Sequence, residues 1–357
     1  MFLTKKNLLF FTFISLFTYW QCSCAQIGGR NAFNFLNLPY QARIASLGSI
    51  NISTSQKDVG LFLQNPALLH KDLHQNVAFS YALFFGGVHQ TSLVYSHTFD
   101  KIGTWGAGLQ YLNYGTLQER DAAGNYIGTF QVSDFALNIA HQRTIDDFSL
   151  GANLKMVGSQ LAGNDATAFA LDLGGVFRHP VYDFTVTLNL RNIGFVVRDY
   201  LNGSQSTLPF DTRVATSFKP QNMPFRFSFT YHHLHKFDIT YLDPTIITLD
   251  VNGQPVIQKK KFFDKLLRHF VFGGELLIHE NFQINVGYNH LINREMRLTG
   301  AKTFAGFAYG FALKVKAWQF SYARSNHHAV SGANYFTLAT ELSKLIKTKK
   351  KEMETNN

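Results

Sequence analysis

The chain is poor in the residues on which disulfide-bonded and ordinary soluble proteins depend. Only two cysteines occur in 357 residues, and both, Cys22 and Cys24, lie near the N-terminus, which excludes a disulfide framework. Charged residues make up 16% of the chain, against about 25% in soluble domains. After the N-terminal region no uninterrupted apolar run reaches about 18 residues, which excludes a bundle of membrane-spanning helices.

Residues 1–25 predict a secretory signal peptide. A pair of lysines, an apolar core and the small-residue site Ser23–Ala25 follow one another in the order that such peptides require. We therefore expect a mature chain that begins at Gln26 and carries no thiol. A lipid anchor on Cys22 or Cys24 is the alternative, and it is disfavoured because bulky Trp20 and Gln21 precede these cysteines.

The basic charge does not indicate a nucleic-acid-binding protein. The formal net charge is +10, but most of the excess lies in the stretch 259–268 and in the C-terminal tail 344–357. The remainder is close to neutral and has no basic stripe. We therefore expect a solvated basic loop, a solvated tail and no nucleic-acid partner.

Strict alternation of apolar and polar residues is the dominant pattern from residue 77 to residue 342. In residues 148–159, for example, Phe148, Leu150 and Leu154 share one face, whereas Asn153 and Lys155 share the other. The pattern predicts an all-β protein of fourteen strands, at 77–85, 89–99, 104–114, 130–142, 147–159, 166–178, 182–192, 211–219, 224–233, 268–279, 281–290, 304–316, 317–324 and 334–342.

The connections between these strands are sorted by length. Those after even-numbered strands are short, whereas those after odd-numbered strands include the long loops 115–129, 193–210, 234–267, 291–303 and 325–333. This asymmetry is typical of an antiparallel transmembrane β-barrel in the outer membrane, with periplasmic termini and extracellular long loops. Aromatic residues near predicted strand ends, namely Trp105, Tyr111, Tyr114, Trp318 and Tyr322, fit the interfacial girdle of such a barrel. A secreted protein of two β-sandwiches is the alternative.

The face opposite the aromatic residues predicts a wet or plugged lumen, because it carries Asn153, Lys155, Asp172, Asn189, Arg191, Arg226, Glu275, Lys314 and Arg324. Fourteen strands enclose more space than their own side chains fill. We expect residues 26–76 to supply a plug or hatch. The predicted organisation is therefore a signal peptide (1–25), a plug-like segment (26–76), the barrel (77–343) and a basic periplasmic tail (344–357).

Ordered motifs in the N-terminal half resemble a known family. The set Ala42, Arg43, Gly48, Asp58, Asn65, Pro66 and Ala67 resembles the N-terminal block of FadL-like outer-membrane proteins. Together with residues 28–43, 264–276 and 288–296, it is most similar to the PorQ family of the type IX secretion system. Many outer-membrane barrels end on an aromatic residue, whereas here a lysine-rich tail follows Leu342.

The resemblance implies a non-catalytic barrel in a cell-surface attachment complex. Its implied partners are a PorZ-like surface protein, PorU- and PorV-type complex members and lipopolysaccharide, besides the membrane lipid around the barrel. The seven motif residues are implied to be structural. A FadL-like transporter of hydrophobic small molecules is the alternative, and it requires an apolar path that the charged inward face does not suggest.

The longest loop, 234–267, is the predicted partner-binding surface. It combines an apolar stretch containing Tyr241, Ile246 and Ile247 with the basic run Lys259, Lys260 and Lys261, and apolar patches rimmed by charge are typical of partner sites. We predict no catalytic, cofactor or metal site. His232 and His233 were considered as metal ligands, but adjacent residues of a strand point to opposite faces.

Overall fold

The structure is a computed structural model that describes residues 31–53, 57–201, 203–240, 248–249, 255–256, 261–296, 304–327 and 331–345. The predicted signal peptide and the tail beyond residue 345 lie outside the described residues. No helix in the described ranges is long and apolar enough to cross a membrane.

Sixteen strands account for most of the described chain. They are β1 (Asn76–Leu83), β2 (His89–Phe99), β3 (Gly103–Arg120), β4 (Tyr126–Ile145), β5 (Phe148–Leu161), β6 (Asn164–Arg178), β7 (Phe184–Arg198), β8 (Asp211–Phe218), β9 (Phe225–Tyr231), β10 (Thr248–Leu249), β11 (Pro255–Val256), β12 (Phe270–His279), β13 (Phe282–Asn289), β14 (Phe307–Val315), β15 (Trp318–Ser325) and β16 (Ala333–Glu341). The short pair β10 and β11 forms a separate hairpin.

The other fourteen strands form one closed antiparallel barrel. Each strand pairs with its neighbours along the chain, with β9 next to β12, and β1 pairs with β16 to close the ring. The closing ladder runs from Asn76↔Glu341 to Leu83↔Asn334. The prediction of a fourteen-stranded antiparallel barrel is confirmed, and closure gives each barrel strand a partner on both sides over at least part of its length.

The connections differ between the two ends of the barrel. At one end, here the short-turn end, the strands are joined by turns such as 100–102, 146–147 and 280–281. The opposite end, here the long-loop end, carries the connections 199–210, 232–269 and 290–306. The last two contain the helices α2 (Phe262–Leu267) and α3 (His290–Glu295).

One predicted loop is largely strand, and another is strand at its start. The proposed loop 115–129 shrinks to residues 121–125, because β3 and β4 continue pairing past a register shift between Asn113 and Thr116. Likewise β7 continues to Arg198, inside the proposed loop 193–210. Alternation fades in these extensions because β3 and β4 expose both faces there, so neither face needs to be apolar.

The two faces of the wall differ in the predicted sense. In β5, Phe148, Leu150 and Leu154 are exposed on the outer face, whereas Asn153 and Lys155 are buried on the inner face. Two assignments are wrong. Arg324 shares the outer face of β15 with Tyr322. Tyr114 shares the inner face of β3 with Leu112 and donates to Asp134 Oδ2 at 2.8 Å.

The described residues of the N-terminal segment, 31–53 and 57–75, lie inside the barrel. They form the helix α1 (Ala42–Ser46) and four short 3-10 turns at Asn34–Asn37, Val59–Leu63, Pro66–Leu68 and Lys71–Leu73. Almost every apolar side chain of this segment is buried. The segment, called the plug below, places its own backbone and side chains against the inward polar residues of the wall.

Candidate functional site: the plugged lumen and the long-loop end

A chain of buried charges joins the plug to the wall. Arg43 of α1 forms an ion pair with Glu275 of β12. Glu275 also contacts Arg226 of β9 at 3.4 Å, and Arg226 reaches Asp183 in the β6–β7 turn at 2.7 Å. Buried charges are costly without partners, so the alternating signs of these four side chains keep the plug in one position.

A second polar contact is centred on Gln64 of the plug. Its Oε1 accepts hydrogen bonds from Arg191 Nη1 at 3.2 Å and from Arg213 Nη1 at 3.0 Å. Its backbone carbonyl accepts from Asn189 Nδ2 at 2.6 Å, and Arg191 Nη2 donates to the carbonyl of Leu36 at 3.1 Å. Two arginines of the wall thus donate to plug acceptors and are buried away from open water.

A lysine of the wall is neutralised close by. Lys155 Nζ lies 2.6 Å from Asp172 Oδ2 and donates to Asn192 Oδ1 at 2.8 Å. Lys155 and Asp172 are 1% and 0% exposed. The two inward charges of Lys155 and Asp172 are therefore paired with each other.

The plug also has an apolar contact with the wall. Phe62, Leu63 and Leu69 pack in one cluster with small inward residues of the wall, including Ala136 and Ala140. Inward residues of β1 to β6 dominate the wall side of this cluster, whereas the polar contacts above lie mainly on β7 to β12. The lumen therefore has an apolar side and a polar side.

Two glycines of the wall leave space for the Asn-Pro-Ala turn of residues 65–67. The Asn65 side chain caps the turn by accepting from Ala67 N at 3.1 Å, and Pro66 occupies its first position. A Cβ added at Gly151 would lie 2.4 Å from the carbonyl carbon of Pro66, and one at Gly174 would lie 2.0 Å from Asn65 Oδ1. The sequence analysis did not connect these glycines with the turn.

The remaining motif residues also lie in the plug. Ala42 N donates to Thr337 Oγ1 of β16 at 3.0 Å. Gly48 has a φ of +88°, which favours glycine, and its carbonyl accepts from Asn289 Nδ2 at 3.1 Å. Asp58 caps the turn Val59–Leu63 by accepting from Gly60 N at 3.1 Å. All seven motif residues are in positions where they hold the plug's local shape or its contacts with the wall.

Most of the proposed partner-binding residues lie outside the described residues. This applies to Tyr241, Ile246, Ile247, Lys259 and Lys260. Lys261 is described, and it is an exposed residue immediately before α2.

The described part of this loop is held by charged contacts. Lys265 of α2 contacts Asp238. Partial burial raises the pKa of Asp238, but hydrogen bonds from Lys265 and Thr240 outweigh this effect and lower the pKa to about 2. Asp264 binds Arg268 at 3.1 Å and Arg294 of α3 at 2.6 Å. These pairs join α2 to α3 and leave Phe262 and Phe263 exposed.

The expectation that His232 and His233 point to opposite faces is wrong. β9 ends at Tyr231, and His233 has a φ of +57° that turns its side chain back. The two Nδ1 atoms lie 2.5 Å apart. Alternation applies only to extended backbone, so it fails as soon as the strand ends.

A cleft of about 800 Å³ follows one edge of β7 at the long-loop end. The β7–β8 ladder ends at Arg191↔Asp211, whereas β7 continues to Arg198. In the described ranges, residues 192–198 have no ladder partner in β8. The cleft at this edge is lined by outward Ile193, Phe195 and Val197, and by Leu201 and Phe210 of the following loop.

Comparisons with known proteins show a fold and no closer relationship. No family model and no curated protein matches the chain. Among solved structures, the toluene transporter TodX of Pseudomonas putida is similar, with a TM-score of 0.50 and 11% identity over 85% of this chain and 96% of that chain. A Pseudomonas aeruginosa FadL homologue has a TM-score of 0.45 and 8% identity over 84% of this chain and 98% of that chain. The chain thus has the fold of TodX-type outer-membrane barrels.

Proposed function

We propose that this protein is a plugged, non-catalytic outer-membrane barrel that presents its long-loop end to a surface partner. The observation that supports this function is the plug itself, which is held in the lumen by buried ion pairs and by the Gln64 contacts. An open pore needs a continuous watery path, whereas here wall arginines donate to plug acceptors. The resemblance to the PorQ family adds the partners: a PorZ-like surface protein, PorU- and PorV-type complex members and lipopolysaccharide.

The proposed docking surface is the loop between β9 and β12, together with α2. Phe262 and Phe263 are 61% and 72% exposed, and Lys261 lies beside them. Exposed aromatic residues next to cationic groups suit a protein surface or the phosphates of lipopolysaccharide. The ion pairs of Asp264 and Lys265 orient α2 before any partner binds, which lowers the entropic cost of docking.

Deletion of residues 243–258 tests this function. The deletion removes the β10–β11 hairpin and leaves the barrel strands and α2 in place. We expect a folded barrel from which the PorZ-like partner no longer co-purifies in mild detergent. The double variant F262S/F263S should weaken the association, whereas the control F85S, at an exposed position of the β1–β2 connection, should not. Undiminished partner recovery from the folded deletion variant would contradict the scaffold function.

Uptake of hydrophobic small molecules is the second candidate, and the FadL-type fold of the similar solved structures favours it. The observation that supports it here is the cleft beside the unpaired part of β7, whose mixed lining includes Ile193, Phe195 and Val197. The end of β7 that extends beyond its ladder with β8 offers a sideways route at the long-loop end. The apolar side of the plug lies on neighbouring strands.

Narrowing the cleft tests the uptake function. Val197→Trp places a large ring in the cleft, whereas Leu150→Trp places one on the outer face of β5, where the residue is equally exposed. If uptake is the function, Val197→Trp should slow toluene entry into proteoliposomes and Leu150→Trp should not. Equal toluene entry with and without the unmodified protein would contradict uptake and leave the scaffold function standing.

A further inference from the structure

Three side chains converge at the long-loop end, where β8 begins and β9 ends. One possible ligand atom from each of Asp211, His232 and His233 lies within 4.8 Å of the other two. These residues are called the Asp–His cluster below. His232 Nδ1 and His233 Nδ1 are 2.5 Å apart, and His233 Nδ1 lies 3.8 Å from Asp211 Oδ1.

The backbone holds the cluster in this arrangement. The left-handed conformation of His233 turns its ring toward His232, and His233 N donates to Asp211 Oδ1 at 2.8 Å. The pairing Val214↔Tyr231 sets β8 beside β9 immediately below. The barrel therefore brings together ligands that lie 22 residues apart in the chain.

The two imidazoles of the cluster meet through their ring nitrogens. An imidazole coordinates a metal through a ring nitrogen that carries a free lone pair. His232 Nδ1 and His233 Nδ1 are hydrogen-bond partners at 2.5 Å, so one of them donates its proton to the other. A Zn²⁺ ion about 2.0–2.1 Å from each nitrogen would displace this proton to solvent and separate the two nitrogens to roughly 3.3 Å.

Asp211 completes the donor set. Its Oδ2 contacts Arg213 Nε at 2.5 Å, and its Oδ1 faces the histidines. One carboxylate oxygen is thus committed to the guanidinium, whose positive charge lowers affinity for any cation, and the other is available as a ligand. Two imidazoles and one carboxylate suit Zn²⁺ and similar transition metals, whereas Mg²⁺ and Ca²⁺ prefer oxygen ligands throughout.

We propose that Asp211, His232 and His233 form a transition-metal site of the Zn²⁺ class at the base of the longest loop. His232 is buried, whereas His233 is partly exposed and gives the ion a route to solvent. A bound ion would draw the His233 ring and Asp211 together and tie the start of that loop to β8. The fourth coordination position would remain for water or for a side chain of a docked partner.

Zinc titration of the purified full-length mature barrel tests the site. The protein should carry a tag without histidine, be stripped with a chelator and be titrated with Zn²⁺ against a chromogenic competitor. We expect one tight equivalent of Zn²⁺ per chain. His233→Asn keeps a residue that tolerates the left-handed conformation and removes the imidazole. Loss of a partner that only supports a metal ligand can weaken metal binding by about 100-fold. The His233→Asn variant loses a ligand itself and should weaken Zn²⁺ binding at least as much.

Matched variants separate loss of a ligand from loss of the fold. His232→Gln should also weaken Zn²⁺ binding, whereas His97→Gln, in β2 and outside the cluster, should leave it unchanged. Heat-modifiable migration on gels reports whether each variant still forms the barrel. Cobalt substitution of the unmodified protein gives a test without variants, since nitrogen and oxygen ligands in tetrahedral geometry produce intense visible bands. Absence of a tight equivalent, or unchanged affinity in folded His233→Asn and His232→Gln, would overturn the proposal.

Discussion

Arg43 and Glu275 form an ion pair whose two side chains are each only 2% exposed, although 232 residues separate them in the chain. The pair connects the helix α1 of the plug with strand β12 of the wall. Arg226 shares the same carboxylate. The plug is therefore an integral part of the barrel's interior, with its position set by charge as well as by shape.

Removal of one member of this pair should destabilise the plug. Arg43→Met leaves Glu275 with Arg226 alone, and loss of one partner from a buried pair costs about 3–5 kcal/mol. We expect the free energy of unfolding in detergent to fall toward the lower end of this range, because Arg226 remains. Denaturant titration followed by tryptophan fluorescence measures it. Arg198→Met is the control, since its pair with Asp165 spans 3.9 Å and is exposed, and it should change stability by at most about 1 kcal/mol.

Alanine substitutions at the adjacent glycines Gly174 and Gly175 should have different effects on stability. At Gly174 the new Cβ would meet Asn65 Oδ1 at 2.0 Å, whereas at Gly175 the nearest atom is 3.7 Å away on Leu150. Gly174→Ala should therefore cost about 1–3 kcal/mol through crowding and make the plug more sensitive to protease. Gly175→Ala should behave like the unmodified protein. Equal protease sensitivity of the two variants would contradict the close packing of the Asn-Pro-Ala turn.

Cysteine labelling should show which end of the barrel faces outward. We predict that Gln205→Cys, in the β7–β8 connection, reacts with an impermeant thiol reagent on intact cells, and that Lys101→Cys, in the β2–β3 turn, does not. The predicted mature chain has no cysteine of its own, so the background should be low. Labelling only at residue 101 would reverse the proposed orientation.

Mass spectrometry of the protein purified from membranes should find Gln26 at the mature N-terminus. The expectation follows from the small residues Ser23–Ala25 before it. Acylation at Cys22 or Cys24 would instead show a lipid-anchored chain.

Sequence periodicity determined the wall of this protein. Alternation in residues 148–159 correctly places Leu150 on the outer face and Lys155 on the inner face. Successive side chains of an extended backbone point to opposite faces, whatever surrounds the strand. The same local rule sets the strand count and the sorting of the connections. It fails where the backbone is no longer extended, as at the left-handed His233.

Tertiary structure alone decided what meets inside the lumen. The resemblance of the motif marked Arg43 and Asn65 as structural, but no local pattern pairs Arg43 with Glu275, Gln64 with Arg213 or Asn65 with Gly174. The same holds for the convergence of Asp211 with His232 and His233. These contacts join segments far apart in the chain, and they exist only because closure of the ring sets each inward side chain at one height and one angle around the plug.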